Sequence, residues 1–213
     1  MTLPLPATAD IVIIGGGVMG ASIAYHLARR GQTGVLLLER DEFFGQGATG
    51  RCAGGVRYQF ATEVNIRLSQ ASLPMLERFE DEIGQAVDYR QIGYLFLLSN
   101  EADVARFEGN VALQRRLSVP TEWLDGDEIR RRLPQMRLDD VLAGTFCAKD
   151  GLVDPNGVVM GYIGAAKRLG AQAVTEVEVT GIERSGGRVT AVHTTIGTVS
   201  TPLVINAAGP WAG

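Results

Sequence analysis

The residues best suited to chemistry stand near the N-terminus, in the stretch GGGVMG and in the acid that follows it. Gly15, Gly17 and Gly20 have the spacing G-x-G-x-x-G. Between a strand and a helix, the first glycine permits a tight turn, the second lets backbone approach a pyrophosphate, and the third lets helix and strand pack closely. Glu39 stands at the distance from which an acid accepts hydrogen bonds from ribose hydroxyls and repels a 2′-phosphate. The spacing predicts a site for FAD or NAD and disfavours NADP.

A βαβ unit is predicted to hold these residues. The run IVII before the turn is all apolar, as in a parallel strand buried on both faces. The helix that follows has Met19, Ile23 and Leu27 at four-residue spacing, and Gly31 stands where a left-handed cap belongs. The run VLLLE, residues 35–39, forms the second strand. Because a lone G-x-G-x-x-G is a weak signal in a chain with 27 glycines, this context carries the assignment.

Composition and charge argue against several other classes of protein. The 213 residues are 46% apolar and 21% charged, which indicates a globular chain, and the net charge of −4 gives no general reason to bind nucleic acid. The basic run 130–132 is interpreted as a solvated helix face. Two cysteines make no disulfide framework, which favours a reducing cytoplasm. No apolar run approaches the roughly 20 residues of a transmembrane helix, and no signal or transit peptide is recognised.

Small residues dominate the loop after Glu39, and their backbone can lie against an extended ligand. The segment GATGRCAGGVRYQF, residues 47–60, resembles the corresponding loop of the D-amino-acid oxidase and sarcosine oxidase family of FAD enzymes. This family includes the flavoprotein subunits of proline and dimethylglycine dehydrogenases, and the resemblance covers nearly the whole chain. It implies FAD as the cofactor, with the loop beneath the ribityl chain and flavin.

Two arginines in the loop gain a meaning from this resemblance. Some members attach flavin covalently through a histidine here, and because Arg51 stands at that position, we expect noncovalent FAD. Arg57 matches an arginine that helps hold the substrate carboxylate, a task that suits the guanidinium fork. Pairing of Arg57 with a structural carboxylate is the open alternative. Cys52 is interpreted as a small packing residue.

The middle of the chain changes character. A helix is predicted over residues 62–84, kinked or divided at Pro74, then a strand over 92–99 and a helix starting at Asn100. Asp125 and Glu128 are predicted to cap a short helix that Pro134 closes, and the run VLAGTFC forms another strand. These elements would belong to an inserted substrate domain.

From Asp150 the sequence resembles the part of the family that returns to the cofactor. A helix is predicted from just after Pro155 to near Gly170, followed by strands over 173–184, 189–195 and 199–206. The resemblance implies that the backbone of Val179 contacts adenine. It also implies that the closing AAGPWAG is a second FAD-contacting turn and that the chain is incomplete beyond it.

The predicted fold is α/β: a Rossmann-like FAD-binding domain, with a parallel sheet and a β-meander, over residues 1–90 and 150–213, and part of an α+β substrate domain over 91–149. No metal site is predicted, and the catalytic residues are unknown. The predicted cofactor-binding residues are Gly15, Gly17, Val18, Met19, Gly20, Glu39, Arg40, Thr49, Gly50, Arg51, Gly54, Gly55, Val179, Ala207, Ala208, Gly209 and Trp211.

The function expected from the resemblance is FAD-dependent oxidation of an amine or amino acid such as sarcosine, dimethylglycine, proline or a D-amino acid. Hydride would pass to the flavin, and oxygen, a quinone or a partner protein would reoxidise it. Two alternatives stay open: an NAD-dependent dehydrogenase, and a noncatalytic FAD-binding fragment or subunit that needs a partner. Two histidines and the lack of G-x-S-x-G leave little with which to build a serine hydrolase.

Overall fold

A computed structural model describes residues 5–212, which form two compact units. Of the described residues, the first unit contains 5–53, 81–87 and 154–212, and the second contains 54–80 and 88–153. Residues 54–80, 88–90 and 150–153, which the sequence assigns to the first domain, belong to the second unit. No helix in the described part is both long and apolar enough to cross a membrane.

Twelve strands and six helices alternate irregularly along the described chain. The strands are β1 (Ile11–Ile14), β2 (Val35–Leu38), β3 (Gly55–Val56), β4 (Tyr94–Leu98), β5 (Glu122–Asp125), β6 (Ala143–Cys147), β7 (Gly151–Leu152), β8 (Gln172–Val174), β9 (Val179–Ser185), β10 (Arg188–Thr194), β11 (Gly197–Ser200) and β12 (Val204–Asn206). The helices are α1 (Val18–Arg29), α2 (Glu63–Glu77), α3 (Phe79–Ile83), α4 (Glu101–Arg116), α5 (Gly126–Arg132) and α6 (Pro155–Arg168), and a 3-10 turn covers Gly209–Trp211.

A parallel sheet of order β12-β1-β2-β8 forms the base of the first unit. β1 and β2 are buried along nearly their whole length, as their unbroken apolar runs predict. The antiparallel meander β11-β10-β9 belongs to the same unit. Side chains of both sheets meet in one core cluster that includes Val12, Leu36 and Val192. The predicted α/β class, with a parallel sheet and a meander, is therefore confirmed.

Helix α1 packs through small residues rather than through the predicted apolar stripe. Its buried positions are Gly20, Ala21, Ala24, Tyr25 and Ala28. Met19, by contrast, is 65% exposed. Ile23 and Leu27, the other two predicted apolar positions, are half-buried. The small buried residues let α6 approach closely and bring Tyr162 within 5.3 Å of Tyr25, measured between ring centroids. The predicted cap is present, since Gly31 has a φ of 82°.

Two of the predicted strands each correspond to two observed strands, and the two members of each pair belong to different sheets. The prediction over 173–184 combined β8 of the parallel sheet with β9 of the meander, and the chain turns between them at Glu176, whose φ is 60°. The prediction over 199–206 combined β11 with β12, and Pro202, which has no N–H to give a sheet ladder, lies between them. The first break has no glycine to mark it, because a glutamate takes the left-handed conformation there, whereas Pro202 is itself a sequence signal against one continuous strand.

The second unit has an antiparallel sheet of order β4-β6-β5, and the short strands β3 and β7 pair with each other in the same unit. The predicted helix over 62–84 is divided, as expected, but the break falls at Arg78 and α2 continues through Pro74. The predicted caps are present: Asn100 accepts from the Asp103 amide at 2.8 Å and Asp125 from the Glu128 amide at 2.8 Å. Strand β5 was not predicted.

Candidate functional site

A cavity of about 450 Å³ opens in the first unit where β1, β2 and β12 reach their carboxyl ends. Ligands of open parallel sheets bind at this edge. The cavity brings together most of the residues predicted to bind the cofactor. Those that line it are Gly15, Gly17, Val18, Met19, Glu39, Arg40, Thr49, Val179, Ala207, Ala208, Gly209 and Trp211.

The glycines of the first turn have separate physical reasons. Gly15 has a φ of 104°, and a Cβ there would come within 2.5 Å of the Ala207 carbonyl oxygen. A Cβ at Gly20 would come within 1.9 Å of the Gly15 carbonyl oxygen. Gly20 does not line the cavity; it lets α1 start directly against the turn. A Cβ at Gly17 would meet only the Thr49 hydroxyl, at 3.2 Å, and its open face leaves the backbone free to approach a ligand.

The carboxylate of Glu39 is held by two backbone amides at the end of β2. One oxygen accepts from Gly16 N at 2.6 Å and the other from Asp41 N at 3.0 Å. Each oxygen keeps lone pairs for further donors, because an ionised carboxylate has about four acceptor sites. The side chain is thus fixed at the cavity wall, where its oxygens could accept hydrogen bonds from two vicinal hydroxyls.

The loop after β2 lies against the start of α1. The Thr49 hydroxyl accepts a hydrogen bond of 3.1 Å from the Val18 amide, the first amide of the helix. Gly50 and Arg51 do not line the first cavity. They line a second, more open cavity of about 580 Å³, together with Phe43, Phe44 and Asn156. The structure therefore separates the predicted loop residues between two neighbouring surfaces of the first unit.

A stacked pair of side chains borders the first cavity. The Arg40 guanidinium lies 4.6 Å from the centroid of the Trp211 ring, a cation–π contact. Arg40 Nε is also 3.7 Å from the Asp41 carboxylate. Trp211 belongs to the 3-10 turn, in which Pro210 occupies an early position where its missing N–H costs no hydrogen bond.

Sequence reasoning missed some cavity residues, chiefly Asp41, Glu178 and Pro210. Asp41 and Glu178 are carboxylates next to residues that were predicted, Arg40 and Val179. Asp41 could have been predicted from its place two residues after Glu39, at the end of β2. Glu178 has no motif of its own, since it is placed by the turn at Glu176 that leads into β9.

Gly54 and Gly55 belong to the second unit and to neither cavity. The Gly54 carbonyl accepts from Val153 N at 2.9 Å, and Gly55 pairs with Leu152 between β3 and β7. Their contact with a cofactor stays a prediction. Cys52 was predicted to be a packing residue, but it is exposed, and its thiol hydrogen-bonds the Thr49 carbonyl at 3.0 Å. The glycine-rich backbone around it forms turns on the surface, where no core encloses the side chain.

Arg57, in the second unit, is surrounded by aromatic rings. Its guanidinium carbon lies 5.1 Å from the Phe60 centroid, 5.9 Å from Tyr94 and 5.1 Å from Phe96. Within residues 5–212, Arg57 makes no ion pair. The structural carboxylate that was the alternative interpretation is thus not found in contact with it. By contrast, the basic run 130–132 pairs with nearby carboxylates at each of its three positions.

A buried carboxylate stands beside the Arg57 segment. Asp150 is fully buried, and burial raises the pKa of its carboxyl, while hydrogen bonds from the Tyr58 amide and the Gln59 side chain and the charge of Arg57 act in the opposite direction. The neighbouring Cys147 is also fully buried, and burial raises the pKa of its thiol to about 11. This thiol is therefore protonated and unreactive at neutral pH.

Comparison with known proteins agrees with this geometry. The sequence profile of a family described as "FAD dependent oxidoreductase" matches residues 10–213. The chain is 34% identical to mitochondrial sarcosine dehydrogenase of Mus musculus over 98% of its own length and 23% of that protein. It is 31% identical to mitochondrial dimethylglycine dehydrogenase of Homo sapiens, over 96% of the chain and 23% of that protein.

A solved structure has the same fold. The crystal structure of L-proline dehydrogenase from P. horikoshii matches with a TM-score of 0.88 and 34% identity, covering 98% of this chain and 55% of that one. The chain therefore spans about a quarter of the length of these curated relatives and about half of the solved one.

Proposed function

Because the chain belongs to the FAD dependent oxidoreductase family, we propose that its first unit binds the ADP half of FAD and that the protein oxidises the C–N bond of an amine or amino acid. The observation that carries the first part is the cavity lined by the glycine turn and by the fixed carboxylate of Glu39. Its volume of about 450 Å³ lies in the usual range for cofactor sites.

The residues of the cavity divide the ADP half between them. The Val18 amide donates to Thr49, whereas the Met19 amide that follows it in the first turn of α1 has no carbonyl partner within the helix, so the amides of Met19 and Gly17 would receive the pyrophosphate. Glu39 would accept from the ribose hydroxyls, and Val179 would lie along the adenine. The Arg40–Trp211 pair would cover the ligand at the mouth of the cavity. The small residues 207–209 would leave room for the ligand at the end of β12.

We extend the proposal to the flavin half through Thr49, Gly50 and Arg51, and in the second unit through Gly54 and Gly55. FAD would be noncovalent, since neither of the two histidines of the chain lies in this loop. The second cavity, lined by Gly50 and Arg51, offers a cationic side chain on an open surface. An arginine cannot form the histidyl flavin bond that the resemblance associates with this position.

The substrate class follows from Arg57 and from the relatives together. A guanidinium that is held by three rings and has no ion pair to a described carboxylate is prepared to receive a carboxylate in bidentate fashion. Sarcosine, dimethylglycine and proline each carry a carboxylate next to the carbon that bears the amine. When bound, FAD supplies the redox chemistry by accepting a hydride from the carbon next to nitrogen, and water hydrolyses the resulting imine. The protein's task is to hold the substrate by its carboxylate.

The reoxidant, oxygen, a quinone or a partner protein, is part of the same proposal, as is a cytoplasmic location. The location rests on the two unpaired cysteines, because thiols stay reduced in that compartment. The related sarcosine and dimethylglycine dehydrogenases carry mitochondrial names, which gives the alternative location to test by cell fractionation.

The exchange Glu39→Gln tests the cofactor site. An amide can accept at only one of its two ends, so either the Gly16 or the Asp41 amide loses its acceptor and the hydroxyl contacts weaken. We expect the dissociation constant of ADP, measured by isothermal titration calorimetry, to rise about tenfold. Adenosine 2′,5′-bisphosphate should bind poorly to the native chain and less poorly to the variant, because a repelling charge is removed.

Glu42→Gln is the matched control, since Glu42 is an exposed acid of the same segment that does not line the cavity. Its ADP affinity should equal that of the native chain. Equal ADP affinity in native chain and Glu39→Gln would contradict the proposed site.

A noncatalytic FAD-binding subunit that needs a partner is the second candidate. It would retain yellow flavin, yet sarcosine, dimethylglycine, proline and D-amino acids would not bleach it anaerobically until a partner chain was added. An NAD-dependent dehydrogenase would bind NAD and carry no flavin absorbance.

A further inference from the structure

The segment that follows Arg57 is tied down by a buried carboxylate. One oxygen of Asp150 accepts from the Tyr58 amide at 2.7 Å, and the other accepts from Gln59 Nε2 at 2.9 Å. These bonds join residues far apart in sequence, so they fix the path of the backbone directly after Arg57. A fully buried carboxylate is costly unless its acceptors are satisfied, and both oxygens of Asp150 are.

Gln59 extends the connection to the sheet of the second unit. Its Nε2 also donates to the Tyr94 carbonyl at 2.9 Å, and its Oε1 accepts from the Thr145 hydroxyl at 2.8 Å. Gln59 and Thr145 are both buried. The segment is thereby connected to β4 through Tyr94 and to β6 through Thr145. Because the polar side-chain atoms of this network have partners, it holds one arrangement.

The same strand supplies two of the rings that contact Arg57. Tyr94 and Phe96 stand on β4, their centroids 5.4 Å apart, at 5.9 Å and 5.1 Å from the guanidinium carbon. A side chain held over aromatic faces keeps its N–H edge available for an anion. The position of that edge depends on the register between the Arg57 backbone and β4, which Gln59 sets.

We propose that Asp150, acting through Tyr58 N–H and Gln59, is a positioning residue that holds Arg57 ready to bind a substrate carboxylate. The inference rests on the proposed function, in which Arg57 receives that carboxylate. Asp150 does not touch the substrate. Removing Asp150 also removes a negative charge that acts on Arg57, which alone would strengthen the binding of an anion. Weaker recognition of the substrate's negative charge, with recognition of the neutral remainder of the molecule unchanged, is therefore the result expected of lost positioning.

The test uses the full chain loaded with FAD and two probes of equal size, methoxyacetate and its neutral counterpart methoxyacetamide. Dissociation constants are measured by isothermal titration calorimetry in the native chain and in Arg57→Gln alike, so that the readout does not depend on the side chain that is replaced. In Asp150→Asn, either Tyr58 N–H or Gln59 Nε2 faces an amide donor in place of an acceptor. We expect methoxyacetate to bind about tenfold more weakly and methoxyacetamide to be unchanged.

Thr145→Val provides a second variant in case Asp150→Asn does not fold. It removes only the hydroxyl that Gln59 accepts from, and we expect a loss of about threefold for methoxyacetate alone. Thr201→Val is its matched control, because Thr201 is a similarly buried threonine of the first unit whose hydroxyl bonds the Leu203 carbonyl. The control should bind both probes like the native chain.

The outcomes separate this inference from the function on which it rests. If the native chain does not prefer methoxyacetate, or if Arg57→Gln keeps the preference, the carboxylate role of Arg57 fails and the inference fails with it. If Arg57→Gln loses the preference but Asp150→Asn and Thr145→Val retain it, only the positioning role is overturned. Equal weakening of both probes in Asp150→Asn would mean a general structural effect and would also overturn it.

Discussion

The glycines of the first turn are required for different reasons, one for packing and one for the ligand. Gly20 is required by the fold, since a Cβ there would overlap the Gly15 carbonyl oxygen at 1.9 Å. Gly17 is compatible with a side chain: its φ is −74°, and its nearest contact would be the Thr49 hydroxyl at 3.2 Å. The need for glycine at position 17 therefore comes from the ligand that the cavity is proposed to hold.

This difference predicts opposite behaviour of two alanine variants. Gly17→Ala should fold with nearly native stability, because only the Thr49 hydroxyl has to shift slightly. It should nevertheless retain FAD at least about tenfold more weakly, because its methyl group would occupy the approach of the pyrophosphate. Gly20→Ala should lose about 3 kcal/mol of unfolding free energy through overpacking. Urea unfolding and flavin absorbance after gel filtration measure the two effects.

Native flavin retention in Gly17→Ala would contradict the pyrophosphate position. Native stability in Gly20→Ala would contradict the close approach of α1 to the turn. Gly84→Ala is not a neutral control, because Gly84 has a φ of 78°, but Gly109→Ala is suitable for flavin retention, since nothing lies within 4 Å of its added Cβ. Because Gly109 lies inside α4, this exchange should raise the unfolding free energy by about 1 kcal/mol through helix propensity.

Among single residues, the cavity residues that belong to a sequence motif could be predicted, whereas those placed there by tertiary structure could not. Gly15 and Glu39 were found because their spacing along one βαβ unit determines their meeting. Glu178 was not, since the left-handed turn at Glu176 that brings it to the cavity has no glycine to mark it. Cys52 was misjudged because a small side chain in a glycine-rich loop has no pattern that indicates its exposure.

The N-cap residues at which helices begin can be recognised from the sequence alone. Asp154 accepts from both Asn156 N and Gly157 N at 3.0 Å, so it caps α6 twice. Thr62 occupies the same position in α2 but its side chain makes no capping bond. Helix α6 also begins with a proline, whose missing N–H costs nothing there.

We therefore expect Asp154→Ala to lower the unfolding free energy by about 1 to 2 kcal/mol, as loss of a bonded N-cap does. Thr62→Ala, its matched control, should cost only about a few tenths of a kcal/mol. Equilibrium urea unfolding followed by far-ultraviolet circular dichroism compares them. A cost for Thr62→Ala equal to that of Asp154→Ala would mean that the capping bonds do not stabilise α6.

The ends of helices and strands are harder to predict from hydrophobic periodicity than their existence. The helices at Asn100 and Asp125 were located by their caps, which are local signals. The break at Glu176 was missed because no glycine marks it, whereas the break at Pro202 was missed although a proline argues against one continuous strand. The choice between one long strand and two depends on which sheet each half joins. Helix α2 passes through Pro74 because its packing, through buried positions on both sides of the helix centre, outweighs the lost backbone bond.

In the molecule as a whole, the two cysteines lie in different units, so the reactivity of each thiol reflects the accessibility of its own unit. Cys52 is exposed in the first unit, whereas Cys147 is buried in the second, with burial raising the pKa of its thiol to about 11. At a mildly alkaline pH the thiolate fraction of Cys147 is therefore small, in addition to its lack of access.

We predict that one thiol per chain reacts with Ellman's reagent within minutes in the native protein, and that the other reacts only when the second unit opens. Cys52→Ser should abolish the fast phase and leave the slow one. Added urea should accelerate only the slow phase. A fast phase that persisted in Cys52→Ser would show that Cys147 is accessible, contrary to its position in the core cluster with Tyr58 and Ile66.

The first unit is assembled from three stretches of chain, and this has a consequence for its synthesis. Strand β1 gains its neighbour β12 only when Val204 has been made to face Val12. At about 5 to 20 residues per second, a ribosome needs about 10 to 40 seconds to translate the stretch between them. During that interval the nascent IVII segment has one bare sheet edge, so a holdase chaperone would meet it there, and slowing translation between the two strands should increase its capture.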